Sequence, residues 1–516
     1  MALRGVLAHR RLRLGLMILA GVMATACVTI ACVLQFWFFP RINDYRSDLA
    51  QEVGAALGIN VSVGNLYGDW SYAHPRFVLD DVVVFDARER PAVNLTRIEA
   101  TLSWWEMLTG NLGFRSLAIT APTLDFRRDI DGKLFLGGLP LSGGGGFRVD
   151  ALLEQGTLQL ATDRLSWRDG SRSAPELVLQ DVKVRMRSGN ARHRLEVAFT
   201  PPASMGSPFK GRAKWQGERF KDWQDWNLEI ALQVRDLDLA GWKPWVDYPV
   251  PMKQGRAALD ITLESTGLNL AKAEGVVTLS DIDVQLADRL EPLVLQKAHA
   301  EFDYVKRSGG QAIKLALKGF TFTDAWGKQE PPANIAIERL SPDGLSGQSS
   351  QVFFKSSRLD LARIYQLSTR LPLPEEMQKR VGRMRPAGVL ENLSAELTLS
   401  EDQVKAYEGR ADFTGLTLQS EDGQRFVRGL SGKIVLDQNK GKLTLDSSGM
   451  TLAMPGVLPI NEVPLSTLTG QIGWELQNEK AATANRLLVN IKSLRMLNND
   501  LDASVNGSWS GLLSAD

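Results

Sequence analysis

Leu177-Val178-Leu179-Gln180-Asp181-Val182-Lys183-Val184 is the stretch on which the fold turns. Leu177 and Leu179 alternate as a half-buried strand requires, and so do Val182 and Val184, but the two pairs are out of step by one residue. In a regular strand a one-residue shift turns a side chain to the other face. The second pair regains the first pair's face only if the backbone slips, and a β-bulge supplies that slip while bending and twisting the strand. The pattern recurs as Phe77, Leu79, Val82, Val84 around Asp80-Asp81 and as Leu232, Val234, Leu237, Leu239 around Arg235-Asp236. It returns as Val277, Leu279, Ile282, Val284 around Ser280-Asp281 and as Ala411, Phe413, Leu416, Leu418 around Thr414-Gly415. These spacings predict an array of bulged strands that share one apolar face.

Most of the remaining chain also alternates with period two, as in Lys433-Ile434-Val435-Leu436 and Lys442-Leu443-Thr444-Leu445, with turns at Asp131-Gly132 and Asp422-Gly423. Three helices interrupt it. Ile42, Tyr45, Leu49, Val53 and Ala56 recur at helical spacing before Gly58. Trp104 to Leu108 reads as a short helix, and Pro374, Glu375 and Glu376 open a third with Met377, Val381 and Met384 on its apolar side. Ser142-Gly143-Gly144-Gly145-Gly146 lacks the Gly-Lys-Ser/Thr of a phosphate loop and reads as a linker between β modules. A sheet with one apolar face must cover it, and either a sandwich or a trough lined for an apolar guest does so. The residue pattern leaves both open.

Leu14 to Phe39 carries no charge over 26 residues, enough to cross the ~30 Å bilayer core. Leu14, Leu16, Ile18, Val22, Val28, Ile30, Leu34 and Trp37 would face lipid. Arg4, Arg10, Arg11 and Arg13 precede the run without an acid, while Asp44, Asp48 and Glu52 follow it. The positive-inside rule then puts the N-terminus in the cytoplasm and everything after Pro40 across the membrane. A cleaved signal peptide competes, because Ala24-Thr25-Ala26 is a small-residue triplet. Against it, the apolar run continues for 13 residues past Ala26.

Lys and Arg total 60 against 59 for Asp and Glu, a balance that makes no electrostatic case for nucleic acid. Cys27 and Cys32 both lie in the apolar run and read as small helix residues, so the remainder has no disulfide. His9, His74, His193 and His299 show no metal-ligand spacing. Asp129-Ile130-Asp131-Gly132 lacks the Glu that closes a calcium loop and reads as a hairpin turn. Trp104-Trp105 and Trp223, Trp226, Trp242 and Trp245 read as packing. No catalytic residue, metal or cofactor is expected, and a non-enzymatic role follows.

Residues 58–142 resemble the opening of the AsmA-like proteins in their YhdP branch. The likeness runs through Gly58-Ile59-Asn60-Val61-Ser62-Val63-Gly64, Gly68-Asp69-Trp70 and Pro75-Arg76-Phe77-Val78-Leu79-Asp80-Asp81-Val82. It continues in Ile98-Glu99-Ala100-Thr101-Leu102-Ser103-Trp104, Phe114-Arg115-Ser116-Leu117 and Arg128-Asp129-Ile130-Asp131-Gly132, then in Leu165-Ser166-Trp167-Arg168-Asp169 and Trp242-Lys243-Pro244-Trp245. The resemblance implies an anchor in the bacterial inner membrane and a repeating β-groove that carries phospholipid across the periplasm. It also implies an N-terminal part or truncated form, because full members are longer.

The expected architecture is mainly β: a transmembrane helix, then a long, twisted, mostly antiparallel β-sheet groove with a few short helices. Residues 1–13 form a basic cytoplasmic segment, 14–39 the transmembrane helix, 41–57 an amphipathic helix, 58–142 an AsmA-like β module and 147–516 the groove array. Leu177, Leu179, Val182, Val184, Val277, Leu279, Ile282 and Val284 are the expected lining. The expected function is phospholipid transfer between inner and outer membranes, with acyl chains and the inner membrane as partners, and with membrane proteins at either end as further ones. A closed β core serving outer-membrane assembly without lipid flux is the alternative.

Overall fold

The computed structural model describes residues 17–513 apart from 20, 27, 58, 72–73, 87, 105–113, 142–155, 190, 218–219, 249, 308–311, 342–348, 374, 401–402, 421–422, 454, 456–461 and 479–484. Leu14, Leu16, Cys27, the residues of the Trp104 helix after Trp104 itself, and the tetraglycine therefore lie outside the described residues. A helical run, Met17–Ala55, opens the described chain, and its most apolar stretch has mean hydropathy 2.4 with none of it buried. That stretch is long and apolar enough to cross a membrane. It widens into a π-turn at Leu34–Phe38 and tightens into a 3-10 turn at Phe39–Tyr45, with Pro40 at its start, where a missing N–H costs nothing. Helix α1 (Arg46–Leu57) follows and stops one residue before Gly58, as the spacing predicts.

The chain divides into two units, Met1–Leu228 and Glu229–Asp516. The first holds β1 (Asn60–Ser71), β2 (His74–Phe85), β3 (Pro91–Leu102), β4 (Phe114–Arg128), β5 (Leu134–Leu136), β6 (Leu139–Pro140), β7 (Thr157–Asp169), β8 (Leu177–Gly189), β9 (Arg192–Thr200) and β10 (Phe209–Gln216). Strands β1 to β4 pair antiparallel in order, β5 and β6 form a small hairpin on β4, and β7 to β10 continue antiparallel. Between β4 and β7 the pairing is parallel, because the 129–156 connection is long enough to return the chain to the same end. The hairpin turn expected at Asp131-Gly132 is present: Asp129 Oδ1 accepts from the amides of Asp131 and Lys133 at 3.0 and 2.8 Å.

The division falls inside β11 (Asn227–Asp238). The second unit continues with β12 (Met252–Thr266), β13 (Asn269–Val284), β14 (Leu293–Lys306), β15 (Ala312–Asp324), β16 (Ala333–Leu340), β17 (Ser350–Asp360), β18 (Ala387–Ser400) and β19 (Gln403–Gln419). It ends with β20 (Phe426–Asp437), β21 (Lys440–Ala453), β22 (Val463–Asn478), β23 (Asn485–Leu497) and β24 (Asp502–Leu513). From β12 to β24 each strand pairs antiparallel with the next. Helices α2 (Leu239–Trp242), α3 (Leu361–Leu367) and α4 (Glu375–Met384) interrupt it. Two of them start alike: Leu237-Asp238-Leu239-Ala240 and Leu359-Asp360-Leu361-Ala362 both place an Asp at the N-cap, accepting from the third following amide at 2.7 and 3.1 Å.

The parity slips are the main finding about the strands. Asp81, Asp181, Asp281 and Gly415 stand in the left-handed region, at φ 56, 50, 52 and 65°. Four further positions share that backbone between two apolar residues: Gly319, Asn392, Gly429 and Ser493. The break is often matched in the neighbouring strand, so that it runs as a crease. Around Asp81, Val82 pairs with Val63 and Leu95, and Leu79 pairs with Leu66 and Ile98, without loss of register. Elsewhere the register shifts by one, on one side between Gln180 and Lys183 against β9 and on both sides of Ser493, against β22 and β24.

At the slip expected at Arg235-Asp236 no left-handed residue occurs. The strand ends at Asp238 and Leu239 belongs to α2, so only Leu237 follows the break within the strand. A left-handed L-residue costs about 1–2 kcal/mol, and a β-branched one is the least tolerant. Asp181→Val should therefore melt well below Asp181→Gly in thermal unfolding of the purified chain, the gap corresponding to about 1–2 kcal/mol.

One buried ion cluster fixes α3. Arg363 is 7% exposed; its Nε donates to Glu330 at 2.5 Å and its Nη1 to Asp324 at 2.8 Å. Burial pushes the Asp324 pKa up. The amides of Lys328 and Trp326, then Arg363, outweigh burial and hold it below the usual carboxylate range. A group so depressed contributes stability above its unfolded pKa, about 3.9, and loses it as the pH falls through the folded value. Arg363→Leu strands both acids and should cost about 3–5 kcal/mol, seen as faster proteolysis within 361–384. In the parent chain the same segment should become labile only below about pH 4.

Candidate functional site

Residues paired directly across a sheet point to the same face, so rows can be followed from strand to strand. In the first unit one row runs Leu66, Leu79, Ile98, Ile119, Leu160, Val184, Val197, Gly211. Beside it runs Gly68, Phe77, Ala100, Leu117, Leu158, Met186, Leu195, Ala213. In the second unit a row of thirteen runs Leu263, Ala273, Tyr304, Leu315, Ile337, Phe354, Ala395, Gly409, Leu436, Gly441, Trp474, Val489, Trp509. None of these positions is charged. At ~4.8 Å per strand, thirteen strands carry the row about 60 Å.

The rows are incompletely covered. Leu315 is 37% exposed, Ile337 42% and Trp509 57%. Dry packing is local: Val84, Val93, Ala121 and Leu124 form one core in the first unit, and Phe413, Leu445, Met450, Leu465 and Leu468 form one in the second.

Where the chain leaves the membrane helix, it lands on the start of these rows. Phe39, Ile42 and Leu66 are buried together, with Trp70, Phe77 and Leu79 packed around them. Phe39 meets Trp70 and Phe77 edge-on at 5.5 and 6.1 Å, and its ring lies where a Cβ at position 68 would be, so Gly68 is required. Trp70 Nε1 donates to Gln35 Oε1 at 2.8 Å, and the Leu66 amide donates to Asn43 Oδ1 at 2.9 Å. Phe39 thus joins the helix to the apolar face, a contact the sequence did not reveal.

The eight residues expected to line a trough fall on these apolar faces in two degrees of burial. Leu177, Val182, Ile282 and Val284 are buried, while Leu179, Val184, Val277 and Leu279 are half-buried. Trp167 pairs with Leu177, Leu165 with Leu179, Thr162 with Val182 and Leu160 with Val184. Ile282 is covered because Met252 and Leu239 of α2 converge with it over Gly255, where an added Cβ would lie 2.9 Å from the Met252 sulfur.

The described histidines have structural partners. His193 lies between Ser188 Oγ and the Gly217 carbonyl at 2.9 and 2.7 Å, stacked on Trp215, which stacks on Trp226. His299 meets Thr278 Oγ1 at 2.8 Å and His74 meets Arg115. Among the described residues no three His, Cys, Asp or Glu side chains converge as a metal site would need. What this arrangement can do is hold apolar groups along a face while their polar ends stay in water.

No curated protein and no solved structure matches the chain. The family model described as YhdP protein matches residues 1–513, so the chain, with its apolar N-terminal helix and open β faces, belongs to the YhdP family.

Proposed function

We propose that this chain is a membrane-anchored lipid conduit whose apolar face holds the acyl chains of phospholipids moving between the two membranes of a bacterial envelope. The observation that carries the reading is the uncharged, half-exposed row from Leu263 to Trp509. A phospholipid drawn into water exposes on the order of thirty methylenes, roughly 20 kcal/mol of unfavourable contact. A continuous apolar face removes most of that barrier while the headgroup stays wet. The helix Met17–Ala55 anchors the chain in the inner membrane, with the arginine-rich end in the cytoplasm and the β units in the periplasm. Lipid gradients or partner proteins at the far end supply direction.

The test is a photo-crosslinking residue placed in living cells at Leu279 or Ile337, with the adjacent Glu338, on the opposite face, as control. Phospholipid adducts at 279 and 337 but not at 338 support the conduit, and protein-only adducts at all three overturn it. A second measurement follows lipid transfer from donor to acceptor vesicles by the purified chain. Ile337→Asp puts an unpaired charge among acyl chains and should slow transfer roughly tenfold with unchanged circular dichroism. Full transfer by a well-folded variant would remove Ile337 from the path.

A further inference from the structure

Between Lys183 and Lys214 stand eight lysines and arginines and one acid, Glu196, in a chain whose cations and acids total 60 and 59. The fold gathers them on one face. Lys183, Arg185 and Arg187 of β8 alternate with Val184 and Met186, so they project opposite the apolar rows. Lys210, Arg212 and Lys214 of β10 alternate with Gly211 and Ala213 in the same way. Arg194 of β9 lies between Arg187 and Lys214, and Glu196 between Arg185 and Arg212. Like charges set directly across a sheet destabilise it. Strands β1 to β3 of the same unit avoid this, for Arg76 pairs with Asp69 and Glu99, and Arg97 with Asp80. Lys183, Arg187, Arg194, Lys210 and Arg212 are exposed and make no ion pair among the described residues.

Beside β8 this face is uncharged, with Thr157, Gln159 and Ala161 of β7 opposite Arg187, Arg185 and Lys183. The cations of β8 and β10 recur at every second residue, about 6.6–6.8 Å apart. Alternate side chains of an extended polypeptide have the same repeat, and the guanidinium fork matches a carboxylate. An anionic bilayer surface offers the same charge. On the conduit reading, on which this step rests, the strands stack outward from the membrane. Strands β8 and β10 are five and seven pairing steps from β1. At ~4.8 Å per step the cations stand about 24–34 Å from the strand joined to the membrane helix. That is several times the screening length of about 8 Å, so the partner lies in the aqueous space. We propose that this face docks an extended acidic segment of a partner protein, with Asp or Glu at alternate positions lying along β8 to β10.

The test uses the full chain in phosphatidylcholine nanodiscs and a labelled peptide of alternating Glu and Thr. A peptide of the same composition with its Glu residues contiguous is the comparison. The alternating peptide should bind more tightly and be released by salt. Arg187→Gln combined with Arg194→Gln should weaken its binding about fivefold. Lys355→Gln, at an exposed cation of the second unit, should leave it unchanged. The paired substitution relieves a like-charge contact, so the fold is retained. Equal binding of the two peptides, binding that survives the paired substitution, or no binding overturns the docking face. Capture of phosphatidylglycerol vesicles without peptide binding, lost in the same paired variant, assigns the face to a bilayer and also overturns it. Lipid transfer between vesicles is measured on the same preparation. Transfer without peptide binding overturns the docking face and leaves the conduit standing, and peptide binding without transfer does the reverse.

Discussion

The structure depends on keeping apolar side chains on one face through every interruption of a strand. Strands of 12 to 17 residues, such as β1 and β19, twist and bend too far to continue with a strict period of two. The left-handed residues at Asp81, Asp181, Asp281 and Gly415 resolve this by resetting parity. Each accepts a local conformational cost, which Gly, Asn and Asp bear best. In return the apolar pairs on either side stay on one surface. Where neighbouring strands break at the same level, as β1, β2 and β3 do around Asp81, the ladder crosses the crease without losing a pairing step.

How far this was legible depends on what each feature needed. The strands and their slips could be read because parity is a local property: Leu79 and Val82 are three residues apart, and nothing distant changes that. Lys318-Gly319 and Lys492-Ser493 carry the same signature, polar then Gly or Ser between apolar residues, and could have been found by it. The degree of cover could not. Ile282 and Leu279 are alike in the local pattern, yet Leu239 and Met252 close over one and not over the other. The ion cluster was equally hidden, since Asp324, Glu330 and Arg363 come from three different segments and carry no spacing motif.

The membrane end shows how an anchor can also be part of a site. A helix tied to a domain by a flexible linker would leave the apolar rows to start anywhere. Here Phe39 is wedged over Gly68 against Trp70 and Phe77, while Gln35 and Asn43 add two hydrogen bonds. The rows therefore begin at a fixed place relative to the last turn of the membrane helix. For a function that needs lipid to pass from bilayer to protein, that fixed start keeps the transfer distance short. The buried Phe39 and Ile42 already fill the first rung.

The two Leu-Asp-Leu-Ala turns allow a last step. In each, the strand ends on an Asp that caps a short helix, and the helix folds over the apolar face next to it. The helix is thus a consequence of the strand end. Its third residue decides what the cover contributes. Gly241 leaves the cover around Ile282 apolar, with Leu239 and Met252 closing over it. Arg363 instead draws Asp324 and Glu330 inward and holds a charged group against Phe322 and Ile335.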